Sequence, residues 1–141
     1  MHGSIPLGTL QEVTGTPLDF RTPKKIANEI DANFEQLQIT GGYDHGFAIH
    51  KETEGLEKIA RVENEETGIA MEVYTDCVGI QFYAGNYIDH EAGKEHTVYE
   101  KRSGLCLETA FYPDSINHSN FPSPVLKANE EYHTVTIYKF V

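Results

Sequence analysis

The chain has 141 residues, with 11 Lys and Arg against 22 Asp and Glu, a formal charge of −11, and 39% hydrophobic positions. At ~100–200 residues per domain this length predicts a single domain over residues 1–141, and the apolar content excludes a disordered acidic tail. The acidity argues against nucleic-acid binding by phosphate neutralisation, because no basic cluster is denser than Lys24-Lys25 and Lys101-Arg102, and the short apolar runs argue against a membrane span.

In chain order, Leu10–Thr14 reads as a weak strand, and Lys24–Phe34 as the one helix, with Ile26, Ile30 and Phe34 recurring every four residues behind Pro23. Gly46–His50 and Lys58–Val62 are further weak strands. Residues 69–75 and 78–84 are rich in β-branched and aromatic side chains and predict two strands paired across a break at Asp76-Cys77. Leu105–Thr109 is a weak strand, and Tyr132–Phe140 a strong one. In the latter, Tyr132, Thr134, Thr136, Tyr138 and Phe140 alternate with Val135 and Ile137. Asp89–Glu95 and Asp114–Pro124 read as linkers, the second long enough to border a binding site. One helix among many strands predicts an all-β fold.

The seven histidines are scattered, without the spacing of metal ligands. Gly41-Gly42 lacks the further glycines and Lys of a phosphate loop, and Ser103 and Ser115 lack a nucleophile elbow. The two cysteines, Cys77 and Cys106, fit neither a CxxC motif nor a disulfide framework and read as reduced thiols. With a start that lacks the basic end and apolar stretch of a secretory signal, they predict a cytoplasmic protein. Carboxylate and imidazole chemistry remains. Glu108 would alternate away from Leu107 beside apolar neighbours that raise a carboxyl's pKa, which suits a general base, or it lies on a solvated strand face; the residues balance the two readings. Asp44, in Gly41-Gly-Tyr-Asp-His45, presents an acid at a strand's beginning, or the segment is simply a turn, which is commoner. His45 is a proton carrier or, more commonly, a histidine satisfied by a backbone carbonyl. Gln81 is a hydrogen-bonding group in a cleft or an outward-facing polar residue. Tyr83, Tyr87 and Phe111 stack on a sugar or, more often for strand aromatics, pack in the core.

The segments Gly15-Thr-Pro-Leu-Asp-Phe-Arg21, Gly41-Gly-Tyr-Asp-His-Gly-Phe47, Met71-Glu-Val-Tyr-Thr75, Val78-Gly-Ile-Gln-Phe-Tyr-Ala-Gly-Asn86, Cys106-Leu-Glu-Thr109, Phe111-Tyr-Pro-Asp114 and Asn117-His-Ser-Asn-Phe-Pro122 together resemble the aldose 1-epimerases, or galactose mutarotases, in order and spacing. The resemblance covers nearly the whole chain and corresponds to the C-terminal portion of the family. It implies part of an antiparallel β-supersandwich with one short helix, Glu108 as catalytic base, Asp44 on a sugar hydroxyl and Gln81 in the substrate cleft. It also implies galactose or glucose as substrate and no cofactor or metal.

Family members are longer, and their upstream Asn-His-Thr-Tyr-Phe-Asn type segment, with the histidine that serves as general acid, has no counterpart in these residues. A second substrate-binding histidine and an arginine are absent too, and Ala110 stands where Gln commonly follows Glu-Thr. A chain of this kind is expected to be nearly inactive alone and to self-associate or take up a complementing N-terminal segment. The alternatives are a glycoside hydrolase, with Asp44 and Glu108 flanking a glycosidic bond, and a non-catalytic carbohydrate-binding module. The absence of Trp weighs slightly against the hydrolase.

Overall fold

The structure, a computed structural model, describes residues 5–141. Its strands, in chain order, are β1 (Asp44–Ala48), β2 (Glu57–Glu63), β3 (Ala70–Thr75), β4 (Gly79–Tyr83), β5 (Glu91–Ala92), β6 (Val98–Tyr99), β7 (Cys106–Ala110) and β8 (Thr136–Phe140). They form two three-stranded sheets, ordered β1-β4-β7 and β2-β3-β8, and the short antiparallel ladder β5-β6. One α-helix, α1 (Glu35–Thr40), and three 3-10 turns complete the inventory of the described residues, the mostly β plan expected. The chain divides into two compact units, the residues up to Gly46 with Gln81–Glu108, and Phe47–Ile80 with Thr109–Val141.

In the first unit, the helix expected over residues 24–34 is reduced to a 3-10 turn at Ile26–Asn28. Asn28, Asp31 and Asn33 are weak helix formers, and the Asn33 side chain instead accepts the Gln38 amide at 2.7 Å. Arg102 further holds the Asp31 carboxylate through two hydrogen bonds of 2.8 and 2.6 Å. Helix α1 begins only after Phe34, whose backbone is extended, and ends at Gly41 in the left-handed region, its N–H on the Leu37 carbonyl. The core here is aromatic: the rings of Phe20, Tyr43 and Phe82 lie 5.0 to 5.6 Å apart, and Leu18, Ile30 and Leu37 are buried with them. Tyr43 donates its hydroxyl to the Pro17 carbonyl at 3.0 Å, and burial, with a smaller push from the Glu29 charge, raises its pKa to about 12. The strand expected at Leu10–Thr14 is absent; the Val13 carbonyl instead accepts the Thr16 N–H at 2.9 Å and its hydroxyl at 2.7 Å, closing a turn.

The second unit is built around β3, which pairs antiparallel with β2 on one side (Arg61 opposite Glu72) and β8 on the other (Val73 opposite Tyr138). Val73 and Thr75 are completely buried on one face of β3, two residues apart as the pleat demands. The expected pairing of residues 69–75 with 78–84 does not occur, since β3 and β4 belong to different sheets. The reason lies in Asp76-Cys77. The Thr75 hydroxyl accepts the Cys77 N–H at 3.1 Å, and the Asp76 carboxylate accepts the Val135 N–H at 2.9 Å and the Thr134 hydroxyl. The break is therefore tied to the segment entering β8, without the positive-φ residues a two-residue hairpin turn needs. The same grip keeps the last strand to Thr136–Phe140, shorter than the alternation from Tyr132 predicts.

Candidate active site

Three adjacent strands each carry one sequence-predicted residue. Asp44 opens β1, Gln81 is central in β4, and Glu108 is central in β7. Because β4 lies between β1 and β7, Gln81 has a carboxylate-bearing strand on each side. Side-chain alternation sends Ile80, Phe82 and Ala84 into the core, all buried, and leaves Gln81 and Tyr83 on the other, half-buried face. Gln81 Nε2 donates to Asp44 Oδ1 at 2.7 Å, while its Oε1 has no hydrogen-bond partner among the described residues.

Glu108 is exposed, as are Cys106 and Ala110 on the same face of β7, while Leu107 and Thr109 on the other face are half-buried. The apolar surroundings expected for Glu108 are thus not found. Alternation turns it away from Leu107 as predicted, but toward a polar face. The Cys106 thiol reports what that face holds. Its pKa is raised, first by partial desolvation, then by the Glu108 charge and a hydrogen bond to that carboxylate, and then by the Asp44 charge. Both carboxylates therefore bear on one thiol, which is free, as is that of Cys77.

His45 takes the opposite side of β1 from Asp44. It is buried, its Nδ1 accepts the Asp44 N–H at 3.0 Å, and burial lowers its pKa against the opposing pull of the Asp44 charge and the Gln36 carbonyl. Its ring thus lies on the core side of β1, away from the face that carries Asp44. Tyr87, mostly exposed, stacks on Tyr83 with centroids 6.2 Å apart and offers its N–H to the Tyr83 hydroxyl at 2.9 Å. Phe111 faces Tyr132 at 6.3 Å in the second unit, where His118 Nε2 also lies 3.3 Å from Asp114 Oδ2. Among the described residues no group of three or more His, Cys, Asp or Glu is arranged to hold a metal ion, and no helix is long and apolar enough to cross a membrane.

The segment that delivers Asp44 contains residues that periodicity does not reveal. Asn86 is 6% exposed, and its Nδ2 donates to the Tyr43 carbonyl at 2.9 Å and the Thr40 carbonyl at 3.2 Å. Gly42, at φ 135°, lies against it, so that a Cβ there would come within 2.9 Å of Asn86 Cγ and closer to Oδ1. The Thr40 hydroxyl closes the turn on the Gly42 carbonyl at 2.6 Å. The local signal for this arrangement is Gly41-Gly42 together with Gly85-Asn86, two glycine-bearing turns at the ends of strands that become neighbours.

The family model for aldose 1-epimerase matches residues 2–139, and the chain belongs to that family. It is 42% identical over 137 residues to the galactose mutarotase of Mus musculus, a match that spans 96% of this chain and 38% of that one. It is 37% identical over 142 residues to the aldose 1-epimerase of Escherichia coli K12, spanning 99% of this chain and 41% of that one. Among solved structures, a GalM/aldose epimerase homologue from C. elegans superposes with a TM-score of 0.78 at 26% identity, over 97% of this chain and 40% of that one. The expected mutarotase-like, antiparallel all-β fold class is therefore shared with a solved homologue, and the chain spans about two fifths of the length of these relatives.

Proposed function

We propose that these residues contribute the base and one sugar-binding edge of an aldose 1-epimerase site acting on galactose and glucose. The observation that carries the reading is the 2.7 Å hydrogen bond between Gln81 and Asp44 on the face to which β7 adds Glu108. With one Asp44 oxygen engaged by Gln81, the other is left for a sugar hydroxyl, and Gln81 Oε1 accepts a second. Glu108, exposed on the neighbouring strand but one, removes the anomeric hydroxyl proton. An acid from the part of the family fold outside these 141 residues protonates the ring oxygen, and the C1–O5 bond opens. Rotation about C1–C2 and closure on the other face of the aldehyde return both protons and give the other anomer. The step needs no cofactor, and two free thiols suit a reducing cytoplasm.

Acid and base each contribute ~10²–10⁴-fold, so the chain alone should mutarotate galactose barely above the spontaneous rate. The test is polarimetry of the chain combined with a complementing N-terminal portion of the family fold. Glu108→Gln should then keep the fold and lower kcat by ~10²-fold or more. Near-normal turnover would remove Glu108 from the mechanism. Hydrolysis of an aryl galactoside would instead identify a glycoside hydrolase, and binding without either activity a carbohydrate-binding module.

The same reading accounts for the end of the chain, where Ile137, Tyr138, Phe140 and Val141 are exposed on and beyond the edge strand β8. Such an edge pairs with a second copy or with the complementing segment. A clean 15.8 kDa monomer in light scattering at micromolar concentration would count against it.

A further inference from the structure

We propose that Asn86 is a positioning residue of this site, fixing Asp44 at the start of β1 against Gln81 through its two hydrogen bonds to the Thr40 and Tyr43 carbonyls. Between α1 and β1 the chain reverses through Gly41 at φ 65° and Gly42 at φ 135°, conformations that favour glycine, with the Gly42 N–H on Leu37 O at 2.9 Å and Arg102 Nη2 on Gly41 O at 3.2 Å. Gly41 is exposed, and a Cβ on it would meet nothing within 4 Å, so packing does not define the turn on that side.

Three polar contacts define it on the other. The Thr40 hydroxyl bonds to Gly42 O, the Ala84 N–H bonds to Tyr43 O at 2.9 Å, and Asn86 Nδ2 bridges Thr40 O and Tyr43 O. Each amide hydrogen of Asn86 thus has one carbonyl, and the Tyr43 carbonyl has both lone pairs engaged. The reverse amide orientation would set Oδ1 against two carbonyl oxygens, which fixes the assignment.

The Tyr43 carbonyl belongs to the peptide that leads into Asp44, and Asn86 follows the strand that carries Gln81. One buried side chain therefore ties the residue before Asp44 to the chain just beyond β4, and the 2.7 Å Gln81–Asp44 bond lies between strands so tied. Removing the amide leaves two carbonyls short of a donor in a buried turn and frees it to shift. A shift of even ~1 Å is enough to break a hydrogen bond of this length.

The inference rests on the proposed sugar site only for what the Asp44–Gln81 pair binds, so its test reads the pair directly. The Gln81 side-chain amide is followed by nitrogen-15 NMR in the intact chain. In Asn86→Ala its hydrogen-bonded proton should lose its displaced shift, as it should in Asp44→Ala, which removes the acceptor, while Val73→Ala, a core truncation in the second unit, should leave it in place. Asn86→Asp supplies the second variant. Protonated, it restores one donor and keeps the Gln81 resonance near its native position; ionised, it faces two carbonyls and should displace it. A Gln81 resonance unmoved in Asn86→Ala, or in Asn86→Asp at both ends of its titration, would overturn the proposal.

Galactose titrated into the same samples should bind Asn86→Ala about tenfold more weakly, the loss of roughly one hydrogen bond. If no variant and no native protein binds galactose, the sugar reading fails while the Gln81 resonance still decides the role of Asn86.

Discussion

The β2-β3-β8 sheet and the turn that carries Asp44 reach order by different routes. In the sheet, the backbone ladder and pleat do the work. Val73 and Thr75 are buried because they alternate on a strand paired on both sides, and at Val73 many side chains of similar shape would serve. In the turn there is almost no ladder. Its path depends on the positive φ of two glycines, on the Thr40 hydroxyl and on the two bonds of the Asn86 amide. The sheet tolerates substitution by degrees, whereas the turn depends on particular residues. That difference is what a site requires, because a few fixed polar groups orient a ligand better than a tolerant surface does.

One substitution, glycine to alanine, separates the two regions. Gly42→Ala forces a side chain into φ 135°, a region open essentially to glycine, and drives its Cβ into Asn86. Strain and overpacking together should cost about 3 kcal/mol. Gly68, between β2 and β3, also has positive φ, at 70°, but a Cβ there meets nothing within 4 Å, so Gly68→Ala should cost about 1 kcal/mol. Denaturant unfolding of both variants checks the difference. Equal losses would mean that Asn86 yields freely and that the turn is no more exacting than the β2-β3 connection.

A smaller effect separates the two faces of β1 by pH. His45 is buried and its pKa is lowered from 6.5, so the folded protein binds fewer protons than the unfolded chain in the interval just below that value. Stability from this group is complete above pH 6.5 and is lost as the pH falls through the interval toward the folded pKa. Carboxylates with lowered values, among them Asp19 at about 2 beside Arg21, begin to act only as the pH falls toward their ordinary range at about 4. The unfolding midpoint should therefore drop between about pH 7.5 and about pH 5.5, and His45→Gln should flatten that drop. Parallel curves for the two proteins would mean that the imidazole titrates alike in the folded and unfolded chain, against its burial.

What the sequence disclosed divides along the same line. Strands β3, β4 and β7 were legible because alternation and β-branched composition act over several residues, and β2 lies within two residues of its expected place. Their partners were not legible, since Asp76 decides them by gripping residues almost sixty positions away. The spacing of Ile26, Ile30 and Phe34 misled because it counts apolar residues and ignores Asn28, Asp31 and Asn33 between them. Asp44, Gln81 and Glu108 stood out through family motifs, while the bond joining the first two depends on strand order, which no local pattern contains. Asn86 escaped because a buried amide and a solvated one look alike in sequence, and the position of Cys106 beside Glu108 drew no notice because attention fell on the acid.

Cys106 provides the finest probe of whether the two carboxylates share a face. Three influences keep its thiol protonated beyond the ordinary range: desolvation, the Glu108 carboxylate with its hydrogen bond, and, least, the Asp44 charge. A raised pKa means less thiolate at a given pH, and the thiolate is the attacking species. Glu108→Gln removes the adjacent negative charge, so alkylation of Cys106 by iodoacetamide at mildly alkaline pH should speed up severalfold, while Cys77, in the second unit, serves as the internal reference. Asp44→Asn should accelerate it in the same direction and by less, in keeping with its smaller influence. Burial alone would leave both variants reacting like the native protein, since neither substitution uncovers the sulfur. An acceleration in Glu108→Gln without any in Asp44→Asn would put Asp44 out of electrostatic reach of β7, and the proposed base and the proposed sugar-binding acid would then no longer bear on one substrate.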